Sequence, residues 1–195
     1  MLIILIVFLA TVCSLSAQQI AEAAKPRFHS LEQIALINGT GAISASLQSV
    51  NGLSLGNWFS GVGVGLDFYR YRSVPLFFDV RKSFGGQNGN KLFLYADGGV
   101  NIPWVKDNEP VFGIWSWPVK ADYRYKAGAY IDAGFGYAVR IRGGNALLLS
   151  TGFSHKYFSE KRTTIGVGAE NQDVTNVQNF TYSLNRLMIK AGWQF

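Results

Sequence analysis

From about Phe28 to the end of the chain, apolar and polar residues alternate in segments that are separated by turn residues. Alternation with a period of two predicts β-strands whose two faces meet different surroundings. In the clearest segment, Tyr125 to Ile141, one face carries mostly apolar residues, whereas the other carries Gly, Lys, Asp and Arg. The segments 57–71 and 182–195 repeat this pattern, and no segment has a convincing helical stripe. The pattern therefore predicts an all-β chain.

Counting the alternating segments gives eight strands in a single domain. Glycine- and asparagine-rich turns at 85–90 and 142–145 would then lie at one end of the molecule, and the long connections 105–122 and 159–181 at the other. Short turns at one end and long loops at the other are typical of outer-membrane barrels. We predict an eight-stranded antiparallel up-and-down transmembrane β-barrel, although hairpins hidden in the long connections would raise the count to ten. The predicted strands are 28–38, 41–51, 57–71, 74–84, 91–104, 123–142, 145–158 and 182–195.

Alternation alone does not separate a membrane barrel from a soluble one, because lipocalin-like barrels alternate with their apolar residues inside. A water-facing strand face is usually rich in Lys, Glu, Thr and Gln. Here the polar face is rich in Gly, with isolated charged residues of both signs. An eight-stranded barrel is just wide enough for side chains to fill it. We predict that this face lines a filled lumen with a network of paired charges, made of Asp67, Asp79, Arg81, Asp97, Lys126, Asp132, Arg140, Arg186 and Lys190.

Aromatic residues recur near the ends of the predicted strands on the apolar face. Such positions are typical of the aromatic girdles at the two membrane interfaces. The simpler interpretation is that aromatic residues are good strand formers, but the charge-poor composition favours girdles. The predicted girdle residues are Trp58, Phe68, Trp104, Tyr125, Tyr157, Trp193 and Phe195.

The composition supports a membrane location and argues against several other classes. Of the 195 residues, 48% are hydrophobic and only 15% are charged, against about 25% charged in a typical soluble domain. After residue 20, no stretch approaches the roughly 20 apolar residues that a membrane helix needs. The formal net charge of +6 is spread singly along the chain. A nucleic-acid-binding protein would cluster its basic residues on one face, so no nucleic acid is predicted as a partner.

The first residues predict an export signal. An apolar run, 1–10, precedes small residues, which is the pattern of a secretory signal peptide. We predict a signal peptide at 1–17 with cleavage after Ala17, the alternatives being Ala23 or Ala24, and a short periplasmic lead at 18–27. The single cysteine, Cys13, lies in the apolar run. Its use as the lipid-bearing residue of a lipoprotein is disfavoured by the bulky Val12 before it. Without the run, the chain has no thiol.

The end of the chain carries a family resemblance. The segment 187–195, LMIKAGWQF, resembles the terminal strand of outer-membrane β-barrels, and the segments 58–71 and 94–104 resemble small barrel proteins of Bacteroidetes-type bacteria. Gln18-Gln19 after the signal fits that origin. The resemblance covers residues 28–195 and implies an OmpA/OmpX-like barrel in the outer membrane of a Gram-negative bacterium. It also implies that the alternating last strand with its final aromatic, Phe195, is read by the barrel-assembly machinery.

Residues that could carry chemistry are sparse. Some small barrels modify lipids, which needs a nucleophile or base such as a histidine with a serine and an acid in reach. His29 and His155 each neighbour a serine, but adjacent strand residues point to opposite faces, so neither pair is arranged for catalysis. We predict His155 at the lipid or interfacial face and His29 at the rim. No metal site or cofactor is predicted, since the loop residues Asp107, Asn108 and Glu109 fit a solvated tip.

Taken together, the sequence predicts a non-enzymatic integral outer-membrane protein with a side-chain-filled lumen and a structural or surface-interaction role. Its predicted partners are outer-membrane lipid, the assembly machinery and an extracellular partner bound by the loops 105–122 and 159–181. The first loop contains an apolar stretch, 111–118, that is equally well a binding patch or a strand extension. The alternatives are a lipid-modifying outer-membrane enzyme, a narrow solute channel and a soluble periplasmic lipocalin-like binder.

Overall fold

The computed structural model describes residues 25–39, 42–69, 71–85, 89–104, 120–167 and 173–195. The predicted signal peptide, most of the predicted lead and most of the connection 105–122, including Asp107 to Glu109 and the apolar stretch 111–118, lie outside these residues. The described residues form β1 (Arg27–Gly39), β2 (Ala42–Leu55), β3 (Trp58–Asp67), β4 (Ser73–Gly85), β5 (Lys91–Pro103), β6 (Lys120–Lys126), β7 (Gly128–Arg140), β8 (Ala146–Val167) and β9 (Asp173–Gln194).

The strands form a closed barrel in which every pairing is antiparallel. From β1 to β5 each strand pairs with the next, β5 pairs with β7, β7 with β8, and β8 with β9. The barrel closes between β9 and β1, where the register runs from Leu31 opposite Gln194 to Asn38 opposite Leu187. Because β6 and β7 both pair with β8, they are two parts of the sixth barrel strand. The predicted eight-stranded up-and-down barrel is confirmed.

A β-bulge separates β6 from β7. Tyr130 lies opposite Lys156 and Lys126 lies opposite Ser159, so four steps along one strand match three steps along the other. The extra residue falls at Ala127, between the two strands. A bulge of this kind exchanges the two faces of a strand, because the side-chain period is two. The residues before Ala127 therefore point to the faces opposite to those that uninterrupted alternation predicts.

The last two strands are much longer than predicted. β8 and β9 each contain 22 residues and stay paired from Ala146 opposite Gln194 to Val167 opposite Asp173. At about 3.3 Å per residue each spans roughly 70 Å, whereas a strand of about 10 residues crosses a bilayer. The prediction of a solvated loop at 159–181 is therefore wrong for the described residues of this segment. They extend the seventh and eighth strands, because β-branched residues are frequent there and the backbone ladder continues.

The two ends of the barrel are built differently. The start of β1, the end of β9 and the short connections β2–β3, β4–β5 and β7–β8 lie at one end, here called the terminal end. Gly56, Gly143 and Gly144 adopt positive φ angles of 61°, 84° and 90° in these turns. At the opposite, distal end, β6, β8 and β9 continue past the other strands as a three-stranded sheet. No helix among the described residues has the length and apolarity that a membrane crossing requires.

Candidate functional site

The interior of the barrel contains a network of buried ion pairs. At its distal side, the Lys156 Nζ atom lies 2.5 Å from Oδ2 of Asp67 and donates a hydrogen bond of 2.9 Å to Ser73 Oγ. The Arg186 guanidinium is 3.6 Å from the same Asp67 oxygen and lies over the Tyr69 ring. Each of these three charged side chains is at most 4% exposed. One carboxylate is thus shared by two cations.

The middle of the interior has the opposite arrangement, with one cation between two carboxylates. The Lys190 Nζ atom lies 2.5 Å from Asp132 and 3.5 Å from Asp97. The hydroxyls of Tyr95 and Tyr130 donate to the two oxygens of Asp132 at 3.2 and 3.3 Å. This half of the network contains two carboxylates and one cation, and the distal half contains one carboxylate and two cations. Their formal charges therefore cancel, which matters because burial of an uncompensated charge is costly.

Toward the terminal end, Arg81 and Asp79 form a bidentate ion pair. The guanidinium donates from Nη2 at 2.6 Å and from Nε at 2.9 Å to the carboxylate. Three aromatic rings surround the Arg81 guanidinium, with ring centroids within 6 Å. They belong to Phe59, Phe93 and Tyr95. Arg81, Phe59 and Phe93 of this layer also line the terminal mouth.

Glycines make room for these large inward side chains. A Cβ atom at Gly136 would collide with the Phe93 ring, and one at Gly152 would collide with the Tyr95 hydroxyl. Any other residue would therefore displace an aromatic side chain of the network. The glycine-rich polar face noted in the sequence has this steric origin.

Seven of the nine residues predicted for the lumen network are buried in the interior, namely Asp67, Asp79, Arg81, Asp97, Asp132, Arg186 and Lys190. Lys126 is exposed, and its predicted lumen position is wrong because the bulge at Ala127 turns it to the outside. Arg140 lies at the terminal mouth, where it is exposed and outside the ion pairs. The prediction missed Lys156, although strand parity places it on the same face of β8 as Ser154, opposite to His155.

The distal mouth is closed by a cluster that we call the aromatic plug, consisting of Tyr71, Tyr125, Phe158, Tyr182 and Glu160. The ring centroid of Tyr71 lies 5.6, 5.8 and 6.0 Å from those of Tyr125, Phe158 and Tyr182. Glu160 is 1% exposed and accepts hydrogen bonds from Tyr182 at 3.0 Å and from Tyr71 at 3.4 Å.

The terminal mouth is open and forms a cavity that we call the basic vestibule. Its volume is about 540 Å³. The basic side chains around it come from the start of β1, from the start of β5 and from the end of β7, and Arg81 lies at its floor. No Asp or Glu is among the described residues that line it. The basic lining residues are Lys25, Arg27, His29, Arg81, Lys91 and Arg140.

The outer surface of the barrel is apolar. Large hydrophobic side chains with exposures of about one third to three quarters occupy the outward positions of the barrel strands. Six of the predicted girdle residues are among the exposed residues and fall into two groups by register. Trp58, Trp193 and Phe195 lie toward the terminal end, and Phe68, Trp104 and Tyr157 lie toward the distal end. This partition, apolar outside and charged inside, is the reverse of that in a soluble barrel.

Two features depart from the predicted outer face. Tyr125 was expected in the girdle, but the bulge turns it inward, where it belongs to the aromatic plug. Glu32 lies on the outer face, where its Oε1 atom accepts a hydrogen bond of 2.8 Å from Ser49. A carboxylate within an apolar belt is unusual, and the hydroxyl satisfies part of its hydrogen-bonding capacity.

The histidines do not assemble a catalytic group among the described residues. His155 faces outward, with its Nδ1 atom 2.6 Å from Asn185 Oδ1. His29 lines the vestibule, and its Nδ1 atom is buried with no hydrogen-bond partner in the described part of the chain. The described residues also contain no group of three His, Cys, Asp or Glu side chains that could hold a metal ion.

Comparison with known proteins gives distant structural likenesses only. No protein-family model and no curated protein sequence matches the chain. The outer membrane protein AlkL, solved by solid-state NMR in DMPC bilayers, is similar over 90% of this chain and 92% of its own, with 8% identity and a TM-score of 0.48. A major outer membrane protein from Thermus thermophilus is similar over 87% of this chain and 100% of its own, with 11% identity and a TM-score of 0.45. Neither likeness assigns a family or a function to this chain.

Proposed function

We propose that this protein is a non-enzymatic, integral β-barrel of the outer membrane of a Gram-negative bacterium, with a closed lumen and a surface-contact role. The observation that carries the proposal is the partition of the barrel, whose outward positions are apolar and whose interior holds the ion-pair network. A bilayer favours this partition, because its core solvates apolar side chains and every strand edge of a closed barrel is paired.

The difference between the two ends supports an orientation. Short turns are typical of the periplasmic side and long connections of the cell surface. The terminal end would then face the periplasm, with the basic vestibule open to it, and the distal sheet would stand above the membrane. In that orientation Phe195, whose backbone exchanges two hydrogen bonds of 3.0 Å with Ser30, closes the barrel at the periplasmic rim, where the assembly machinery would read it.

The distal sheet is the proposed contact surface. Among the described strands, β6 pairs with β8 alone, so it forms an edge of this sheet. An edge strand offers a row of backbone groups that an extended segment of a partner can pair with. The proposed contact at 159–181 is therefore a three-stranded surface instead of the predicted loop. The segment 105–119, which precedes β6, remains a predicted part of the contact.

The proposal is tested by membrane fractionation, followed by gel electrophoresis of boiled and unboiled protein. We expect recovery with the outer membrane and a heat-dependent change in mobility, because a closed barrel resists detergent unless it is heated. Planar-bilayer recording should give no sustained conductance, because the plug and the network fill the lumen. Recovery in the soluble fraction without a mobility shift would contradict the membrane assignment.

The enzymatic alternative has its own experiment. Lipid extracts of cells that express the chain are compared with extracts of cells that lack it. A chemical change that disappears when His29 and His155 are both replaced by Ala would support a lipid-modifying enzyme and contradict the non-enzymatic role. The assignment to an OmpA/OmpX-like, Bacteroidetes-type family stays a prediction.

A further inference from the structure

We propose that the basic vestibule is a binding site for a small anion that carries two or more negative charges on phosphate or carboxylate groups. The vestibule has about 540 Å³ of free volume, which lies within the size range of small-molecule sites. It opens at the terminal end of a barrel whose remaining interior is filled by side chains. The proposed role as a membrane barrel assigns no function to this cavity.

The charges of the vestibule face each other across the mouth. Arg27 and His29 lie at the start of β1, and Lys25 lies two residues before it. Lys91 lies on β5, which is four strands away from β1 in either direction around the barrel. Arg140 lies on the neighbouring β7. An anion in the cavity would therefore be contacted from opposite walls, which favours an anion with several charged oxygens over a monovalent one.

These cations lack acidic partners among the residues that the structure describes. None of Lys25, Arg27, Lys91 and Arg140 forms an ion pair with any residue in the described ranges. This contrasts with the interior below, where each of the four buried cations has a carboxylate within 4 Å. Like charges that line a cleft create a strong local field, which attracts anions. A bound anion would remove the mutual repulsion of the cations.

The floor and the uncharged lining suit the same ligand. Arg81 is neutralised by Asp79, so the floor adds no free charge but blocks passage into the network. Ser54, Asn57 and Asn145 add hydroxyl and amide groups to the wall, and these can donate to oxyanions. Arginine guanidinium groups pair with phosphate and carboxylate in two-pronged geometry. The site is thus a closed-bottomed receptor rather than the entrance of a pore.

The test is calorimetric titration of the folded, full-length barrel in a non-ionic detergent at low ionic strength. The probes are pyrophosphate and citrate, with acetate as the monovalent reference. We expect pyrophosphate or citrate to bind at least about tenfold more tightly than acetate, and the preferred probe distinguishes phosphate from carboxylate recognition. Added salt should weaken binding, because it screens exposed charges.

Matched variants locate the site. The double variant Arg27→Gln/Lys91→Gln removes two vestibule charges and should weaken binding by about tenfold or more. The control Arg124→Gln/Lys161→Gln removes one Arg and one Lys from exposed positions near the distal end, and it should bind as the wild type does. Arg140→Gln is a second vestibule variant for the case that the first does not fold. A heat-dependent mobility shift verifies folding of each variant.

Two results would overturn the proposal. One is the absence of measurable pyrophosphate and citrate binding by the folded wild-type barrel at low ionic strength. The other is an equal loss of binding in the vestibule variant and in the distal control, since this would mean that net charge alone attracts the anion.

Discussion

The two mouths of this barrel differ in charge: the closed distal mouth contains a buried carboxylate, whereas the open terminal mouth is lined by cations. At the distal mouth a single carboxylate, that of Glu160, is buried among tyrosine hydroxyls and aromatic rings. At the terminal mouth several cations surround a cavity of about 540 Å³, with no acidic residue among the described lining. The same strands reach both mouths, so the difference lies in the side chains that the strand ends present.

The two mouths differ in what their side chains contribute to stability. In the plug, every described contact of Glu160 is a donor, and the rings exclude water from it, so the cluster stabilises the fold. In the vestibule, like charges repel each other, so these side chains contribute little to the stability of the fold. Such an arrangement is retained more readily for binding than for stability. The network between the mouths keeps them separate, because its side chains fill the barrel.

The largest expected effect comes from the network itself. Lys190→Met leaves Asp97 and Asp132 buried without the cation between them. We expect the free energy of unfolding to fall by about 3–5 kcal/mol, as for other broken buried pairs. Urea titration of the barrel in detergent, followed by the loss of the heat-dependent mobility shift, measures it. The double variant Lys190→Met/Asp132→Asn should recover part of the loss, and a neutral result for Lys190→Met would contradict a structural role of the pair.

The plug should contribute less than the network but clearly more than the vestibule. Glu160→Gln removes the charge that accepts hydrogen bonds from Tyr71, Tyr182 and Arg162. Hydrogen bonds to charged groups are worth about 1.5–3 kcal/mol, so we expect a destabilisation in this range. The measurement is the same urea titration. A change below about 0.5 kcal/mol, the range of surface substitutions, would show that the plug closes the mouth without stabilising it.

The vestibule should show almost no loss of stability. Arg27→Gln removes an exposed cation that repels its neighbours, so we expect a change within about 0.5 kcal/mol, in the direction of higher stability. The gain should shrink in high salt, because salt screens the repulsion. Urea titrations at low and high ionic strength measure both effects. A clear destabilisation would mean that the vestibule cations are structural, which removes the contrast between the mouths.

The smallest change in stability is expected at Lys126, which is next to the plug in sequence but lies on the outer face of β6. Lys126→Thr changes the residue that directly follows Tyr125, yet the bulge turns Lys126 outward. We expect a change in stability below about 0.5 kcal/mol. If Lys126 lay in the interior, as uninterrupted alternation predicts, the same substitution would instead break a buried charge pair. Comparison of its urea midpoint with that of Lys190→Met separates the two placements.

Much of the fold follows from one regularity of the sequence. Alternation with a period of two predicted all eight barrel strands, because each outward position had to be apolar and each inward position had to fit a narrow, filled interior. The seven interior charges of the predicted set follow from the same rule. Lys156 obeys the rule as well, and counting two residues onward from Ser154 would have found it.

Other features of the molecule could not be predicted from the alternation of odd and even strand positions. Nothing in the sequence marks the extra residue at Ala127, so the faces of Tyr125 and Lys126 were exchanged. The polar composition of 159–181 indicates exposure to water, but an exposed ladder is as polar as an exposed loop. The vestibule could not be predicted from the sequence, because its cations are scattered from Lys25 to Arg140 along the chain. Only closure of the barrel brings them to one mouth.

The bulge at Ala127 also divides the sixth barrel strand into two parts with opposite relations between sequence position and face. In β7, on the terminal side of the bulge, odd-numbered residues point outward and even-numbered residues point inward. In β6, on its distal side, the odd-numbered residues point inward and the even-numbered residues outward. Deleting this one residue would join Lys126 directly to Gly128 and restore regular alternation, so Lys126 would stay opposite Ser159 on the outside and Tyr125 would stay opposite Glu160 in the plug. The extra residue therefore changes which sequence positions face the plug, while the ladder between β6 and β8 fixes which side chains point inward.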